Sequence, residues 1–262
     1  MTNLAMVIFD IDGVVRDVGG SYRRAIADTV EHFTDGAYRP TIEDIDQLKC
    51  EGIWNNDWEA SQELIYRYFQ SQGQARSQLA IDYDTLVAFF QARYRGTDPD
   101  NWNGYITTET LLLQAKYLEQ LSAVGISWGF FSGATRGSAE YVLKKRLGLE
   151  ELVLIAMEDA PSKPDPTGLL AAVCQLEKRC SVPSSTPVIY VGDTVADMYT
   201  VVKARAIEPE RLWIGAGVLP PHLQSKSQRR DAYTAKLKEA GAKVVFSNVE
   251  QLTPAQIQQL VL

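Results

Sequence analysis

The chain has 262 residues, 45% of them hydrophobic and 23% charged, which is enough apolar material for one large domain or two modest ones. A formal charge of −7 argues against a protein built to hold nucleic acid or an anionic membrane surface, while leaving room for a local cationic site that takes a small phosphorylated ligand. Three cysteines without a CxxC pair, and only two histidines, His32 and His222, supply a zinc site or a Ser-His-Asp triad poorly and fit the reduced thiols of a cytosolic protein.

The first element is the run Ala5-Met6-Val7-Ile8-Phe9, apolar without alternation, which predicts a strand of a parallel sheet buried on both faces. It is short, has no basic flank and meets Asp10, so it is read as neither a signal peptide nor a membrane span; no later run reaches membrane length, and a cytoplasmic location is expected. The strand ends in Asp10, Asp12 and Gly13. Two carboxylates at i and i+2 point roughly the same way and repel, so the pair persists only where a cation, hydrogen bonds or a shared proton compensates.

From about Arg16 to Trp102 the pattern turns helical. Tyr22, Ile26, Val30 and Phe33 share one face, as do Leu64, Ile65, Tyr68 and Phe69, and then Leu86, Phe89, Phe90 and Tyr94. This is read as an all-helical insertion, with "VRDVGGS" (15–21) as exit and "RGTDPDNWNG" (95–104) as return. Inside it, Gly52 to Asn56 reads as a loop between helices and Asp57 as an N-cap. If that loop faces the core, Trp54, Asn55 and Asn56 offer an aromatic face and amides to a polar leaving group, and Lys49 meets a further anion; a purely structural role is an equal alternative. Arg23 and Arg24 fall on the first cap helix and are assigned to a solvated face, with contact of one of them to the substrate as the alternative.

Strand-like runs then alternate with helical patterns: "ISWGFF" (126–131), "LVLIA" (152–156), "PVIYV" (187–191), "RLWIG" (211–215) and "KVVFS" (243–247), with helices expected near 107–124, 136–147, 166–180, 195–204, 228–240 and 253–261. The predicted fold is α/β, a Rossmann-like three-layer parallel sheet core over 1–15 and 104–262, with an inserted all-helical cap domain over 16–103. Ligands of open parallel sheets sit outside the carboxyl ends of strands. There the sequence places Asp10, Asp12 and Gly13; then Ser132-Gly133, donors for an anion; then Lys163 in "SKPDP"; then Asp193 and Asp197 in "GDTVAD". Carboxylates for a hard cation, a lysine for negative charge and donors for oxygen describe a phosphoryl-transfer site, with Mg²⁺ as the partner the acidic pair lacks.

The order "DIDGV", "SG", "KPDP", "GDTVAD" resembles the four motifs of the haloacid dehalogenase (HAD) superfamily, and the helical segment resembles the type 1 cap of subfamily I. Alone, Asp-x-Asp-Gly is usually a turn, Ser132 or Asp197 an ordinary helix-start residue and Lys163 a loop lysine; four motifs in order at strand ends are specific. The resemblance implies Asp10 as nucleophile forming an aspartyl-phosphate and Asp12 as acid and base. It further implies Mg²⁺ on Asp10, the Asp12 carbonyl and Asp193, with Asp197 as an outer or water-mediated partner, and Ser132, Gly133 and Lys163 on the phosphate. The expected activity is a Mg²⁺-dependent phosphatase of a small phosphorylated metabolite. The alternatives are a sugar phosphomutase on the same scaffold and a non-catalytic phospho-ligand-binding regulator. A haloacid dehalogenase is disfavoured because Asp12 is kept, and neither GxxxxGK[ST] nor a GxGxxG following a strand is present.

Overall fold

A computed structural model describes residues 4–54, 56–224 and 227–262. The run at the start forms β1 (Ala5–Phe9), every residue of it buried. A short strand β2 (Arg16–Asp17) follows the acidic turn. Four helices come next: α1 (Tyr22–Phe33), α2 (Ile42–Lys49), α3 (Asp57–Ser71) and α4 (Tyr83–Tyr94). The chain continues through β3 (Thr110–Leu111), α5 (Ala115–Ala123) and β4 (Ile126–Phe131). Then come α6 (Arg136–Glu140), β5 (Leu154–Ile155), α7 (Thr167–Cys180) and β6 (Val188–Gly192). The last elements are α8 (Val195–Ile207), β7 (Trp213–Val218), α9 (Pro221–Gln224), α10 (Ser227–Glu239), β8 (Ala242–Phe246) and α11 (Pro254–Val261).

Among the described residues, one six-stranded sheet runs in the order β5-β4-β1-β6-β7-β8, parallel throughout. Successive side chains of β1 leave opposite faces of the sheet. Ala5, Val7 and Phe9 join a core with Leu118 and Leu121 of α5 and Ile257 of α11; Met6 and Ile8 join another with Leu169 and Val173 of α7 and Val201 of α8. Each large aliphatic or aromatic side chain so buried contributes on the order of 1.5–3 kcal/mol. The sheet grows from β1 through β4 to β5, then returns to place β6 on the other side of β1. That reversal opens a crevice at the carboxyl ends of the central strands.

The chain divides into two compact units, Met1–Asp17 with Leu111–Leu262, and Val18–Thr110. The second includes the turn of 3₁₀ helix at Tyr105–Thr108, beyond the return expected at 104, because Ile106 is buried and the Tyr105 hydroxyl donates to Asp28 of α1 at 2.6 Å. Within this unit Tyr22 stacks on Tyr94 at 4.0 Å between ring centres, joining α1 to α4 as the helical faces read from sequence require.

Several expectations are corrected. The strand expected over 152–156 shortens to β5, which pairs only with Phe130 and Phe131, and the helix expected over 136–147 relaxes after Glu140 into a wider π-type turn over 141–146. "RLWIG" is displaced: Arg211 turns to Glu177 and Glu208, and the strand starts at Trp213. Asn56, not Asp57, caps α3, its side-chain oxygen accepting from the Trp58 N–H at 2.9 Å. Cys174 and Cys180 lie exposed on α7 as free thiols. No helix among the described residues is long and apolar enough to cross a membrane.

Candidate active site

Four strand or loop ends deliver buried polar groups to the crevice. Asp10 follows β1, Ser132 follows β4, Lys163 lies in the loop before α7, and Asp193 with Asp197 brackets the start of α8; all five are nine-tenths buried or more. The carboxylates of Asp10, Asp193 and Asp197 each place an oxygen within 4.8 Å of the others. The Lys163 ammonium lies 2.9 Å from Asp10 Oδ1 and 2.7 Å from Asp197 Oδ1.

The local sequence explains this geometry. Gly13 takes φ +76°, a region disfavoured for residues with a Cβ, and a Cβ there would sit 2.0 Å from Asp193 Oδ2. The turn after β1 can therefore close against Asp193 only with glycine. Thr194 and Asp197 form a reciprocal capping box on α8: the Thr194 N–H and hydroxyl donate to Asp197 Oδ2 at 2.9 and 2.6 Å, and the Asp197 N–H donates back at 3.3 Å. The Tyr233 hydroxyl on α10 donates to the Asp193 backbone carbonyl at 3.0 Å.

Asp10 accepts two bonds on one oxygen, from the Ile11 N–H at 2.8 Å and from Lys163, so Oδ2 is the oxygen that neither bond occupies. Burial pushes its carboxyl up to about 7, against the pull of Lys163 and with the help of the Asp197 and Asp12 charges. Burial also works against the Lys163 charge, yet Asp10 and Asp197 outweigh it and hold the ammonium above its usual range. For Asp197, burial is likewise outweighed by Lys163 and Thr194, and the carboxyl is held low. Three buried carboxylates gathered within 4.8 Å of one another form a set made only of oxygen donors, which suits a hard dication such as Mg²⁺.

The remaining sequence candidates divide. Asp12 turns its Oδ1 to Arg16, whose Nε and Nη2 both lie 2.6 Å away and whose side chain is fully buried. The Ser132 hydroxyl accepts from the Ala134 N–H at 3.2 Å, and Gly133 is half-buried beside it. In the helical unit, Lys49 pairs with Asp57 at 2.5 Å and the Trp54 indole N–H donates to Glu51 at 2.7 Å. Asn56 serves as the α3 cap, and Asn55 lies outside the described residues. Sequence reading passed over Arg16, Tyr190, Thr194 and Tyr233; only Thr194-x-x-Asp197 carried a legible signal, the capping-box spacing.

A parallel Rossmann-like core that gathers carboxylates, a lysine and a serine outside its strand ends defines an α/β enzyme with a polar catalytic crevice. The chain belongs to the haloacid dehalogenase-like hydrolases, whose family model matches residues 4–204. It is 33% identical over 249 residues to an imidazoleglycerol-phosphate dehydratase of Phytophthora nicotianae, a match covering 92% of this chain and 50% of that protein, so the chain spans about half the length of this curated relative. Among solved structures, the fold is similar to a phosphonoacetaldehyde hydrolase-like protein from Oleispira antarctica (TM-score 0.71, 16% identity, 99% of this chain and 93% of that one). It is also similar to CbbY from Rhodobacter sphaeroides, solved in complex with phosphate (TM-score 0.63, 13% identity, 97% of this chain and 99% of that one).

Proposed function

We propose that the protein is a Mg²⁺-dependent phosphatase that hydrolyses a small phosphomonoester through an aspartyl-phosphate on Asp10. The observation that carries this reading is the buried pairing of Lys163 with Asp10 Oδ1, which leaves Oδ2 to attack while the ammonium remains beside the reacting centre. Asp10 and Asp193 are the carboxylates that would hold the cation, with the Asp12 carbonyl; Asp197, whose two oxygens already accept from Lys163, Tyr190 and Thr194, would act by holding the lysine. When bound, the dication neutralises charge on the phosphoryl oxygens and lowers the pKa that burial has raised on Asp10.

The chain's own residues supply the remaining steps. Asp10 Oδ2 attacks phosphorus and the ester oxygen departs with a proton from Asp12; a water, giving its proton to Asp12, then attacks the aspartyl-phosphate and frees phosphate and Asp10. Asp12 must loosen or share its bond to Arg16 when it meets the leaving oxygen. The Ser132 hydroxyl and the Gly133 N–H would hold a phosphoryl oxygen, and Lys163 has a third N–H to give to another. Substrate choice is assigned to the helical unit, Val18–Thr110, as the cap of this family; a group reaching Lys49 there competes with Asp57.

The decisive experiment is phosphate release from a generic aryl phosphate with and without Mg²⁺, wild type against Asp10→Asn. Metal-dependent turnover that the substitution abolishes supports the reading; turnover that survives Asp10→Asn sinks it. The dehydratase name belongs to a relative twice as long as the stretch matched, and it makes imidazole-bearing phosphomonoesters the first substrates to screen.

A further inference from the structure

Lys163 lies in a cage. Besides Asp10 and Asp197, its ammonium has the Phe131 ring 5.2 Å away and the Tyr190 ring 5.4 Å away, both within cation–π range. Tyr190, fully buried in the middle of β6, does more than provide a ring. Its hydroxyl lies 3.0 Å from Asp197 Oδ1, the oxygen that also receives Lys163, and 3.2 Å from the Phe131 carbonyl, one residue before Ser132. A phenol has one proton for these two acceptors. One side chain thus touches the end of β4, the lysine and the carboxylate that holds the lysine.

We infer that Tyr190 is a positioning residue that sets how the Lys163 ammonium is divided between Asp197 and the phosphoryl-binding crevice; this rests on the phosphatase reading. Asp197 Oδ1 carries the charge that draws Lys163 away from Asp10. The Tyr190 O–H satisfies part of that oxygen's demand, and the Thr194 N–H and hydroxyl satisfy the other oxygen. With the phenol proton in place, the ammonium keeps its reach to Asp10 and to a phosphoryl oxygen. Without it, Oδ1 has Lys163 as its remaining partner among the described residues and pulls the ammonium back. The ring itself, and the packing of Tyr190 with Met6 and Ile8, do not depend on the hydroxyl.

Tyr190→Phe keeps the ring and removes the hydroxyl, which makes the inference testable. Inorganic phosphate binding is measured by calorimetry in saturating Mg²⁺ on the Asp10→Asn background, with and without Tyr190→Phe, and Mg²⁺ binding is measured in the same way. Removing a group that orients another binding group costs on the order of tenfold, so phosphate should weaken about tenfold while Mg²⁺ affinity stays unchanged. Val201→Ala, which loosens the same core from α8 without touching the carboxylate, serves as the control for general destabilisation and should leave phosphate affinity alone. Equal phosphate affinity with and without the hydroxyl, or an equal loss with Val201→Ala, overturns the inference. Failure of both the wild-type and the Asp10→Asn proteins to bind phosphate in Mg²⁺ overturns the phosphatase reading and this inference with it.

Discussion

Asp10→Asn should stabilise the protein when divalent cations are removed, although it destroys the proposed nucleophile. Burial raises the Asp10 carboxyl from 3.8 to about 7, and one pK unit is worth about 1.36 kcal/mol, so holding this carboxylate ionised in the folded chain costs about 4 kcal/mol. Between those two values the folded protein retains a proton that the unfolded chain has released. Stability of the metal-free protein therefore falls as pH rises through this window and levels off above about 7. Asparagine has no charge to bury and can still accept from Ile11, but Lys163 then keeps Asp197 as its single carboxylate partner among the described residues, which takes back part of the gain. A net stabilisation of roughly 1–3 kcal/mol at pH 8 remains, equivalent to several degrees in Tm for a chain of this size, on the order of 2–4 °C per kcal/mol. The assay is thermal unfolding of both proteins in chelator across pH 5 to 8, repeated with saturating Mg²⁺. The difference should shrink toward pH 5, and Mg²⁺ should raise the wild-type Tm more than that of the variant. A lower Tm for Asp10→Asn at pH 8 in chelator, by the same margin as at pH 5, would refute the reasoning.

Gly13→Ala forces a Cβ to within 2.0 Å of Asp193 Oδ2 at φ +76° and should destabilise the fold by on the order of 1–3 kcal/mol, visible in denaturant unfolding, and weaken Mg²⁺ binding in calorimetry. Asn56→Ala removes the α3 cap and should cost about 1 kcal/mol in thermal unfolding, more than Asp57→Asn, with KM for an aryl phosphate unchanged; a large rise in KM would return Asn56 to the substrate. Arg16→Met frees the Asp12 carboxylate from its tie. It should change turnover of alkyl phosphates, whose leaving oxygen needs a proton, by about tenfold more than that of aryl phosphates, within the span ascribed to general acid catalysis; equal effects on both would reduce Arg16 to packing.

Much of the core was legible because β1 and β6 are buried on both faces and read as unbroken apolar runs, and because the groups that follow strands fall into one crevice of an open parallel sheet. The rest depended on partners distant in sequence. β5 is short: its Leu154 and Ile155 pair with Phe130 and Phe131 at the end of β4, and the rest of its apolar run lies outside the ladder. Tyr190 reads as one more apolar residue of its strand; its hydroxyl gains meaning only when α8 brings Asp197 within 3.0 Å. Lys49 and Trp54 look like ligands for a substrate in a linear reading, since nothing in the spacing says that Asp57 and Glu51 engage them. The choice between Asn56 and Asp57 as cap is a one-residue ambiguity that two adjacent capping residue types leave open.

The alternation along β1 has a consequence for how freely this protein can change. Ala5, Val7 and Phe9 belong to one core, Met6 and Ile8 to the other, and the register of the strand on both neighbours decides where Asp10 emerges. Inserting or deleting a single residue in these five would exchange the occupants of both layers and turn Asp10 away from Lys163 at the same stroke. Substitutions of matched volume can accumulate in β1 under separate packing rules on its two sides, whereas its length is held fixed by two interiors and one reaction at once.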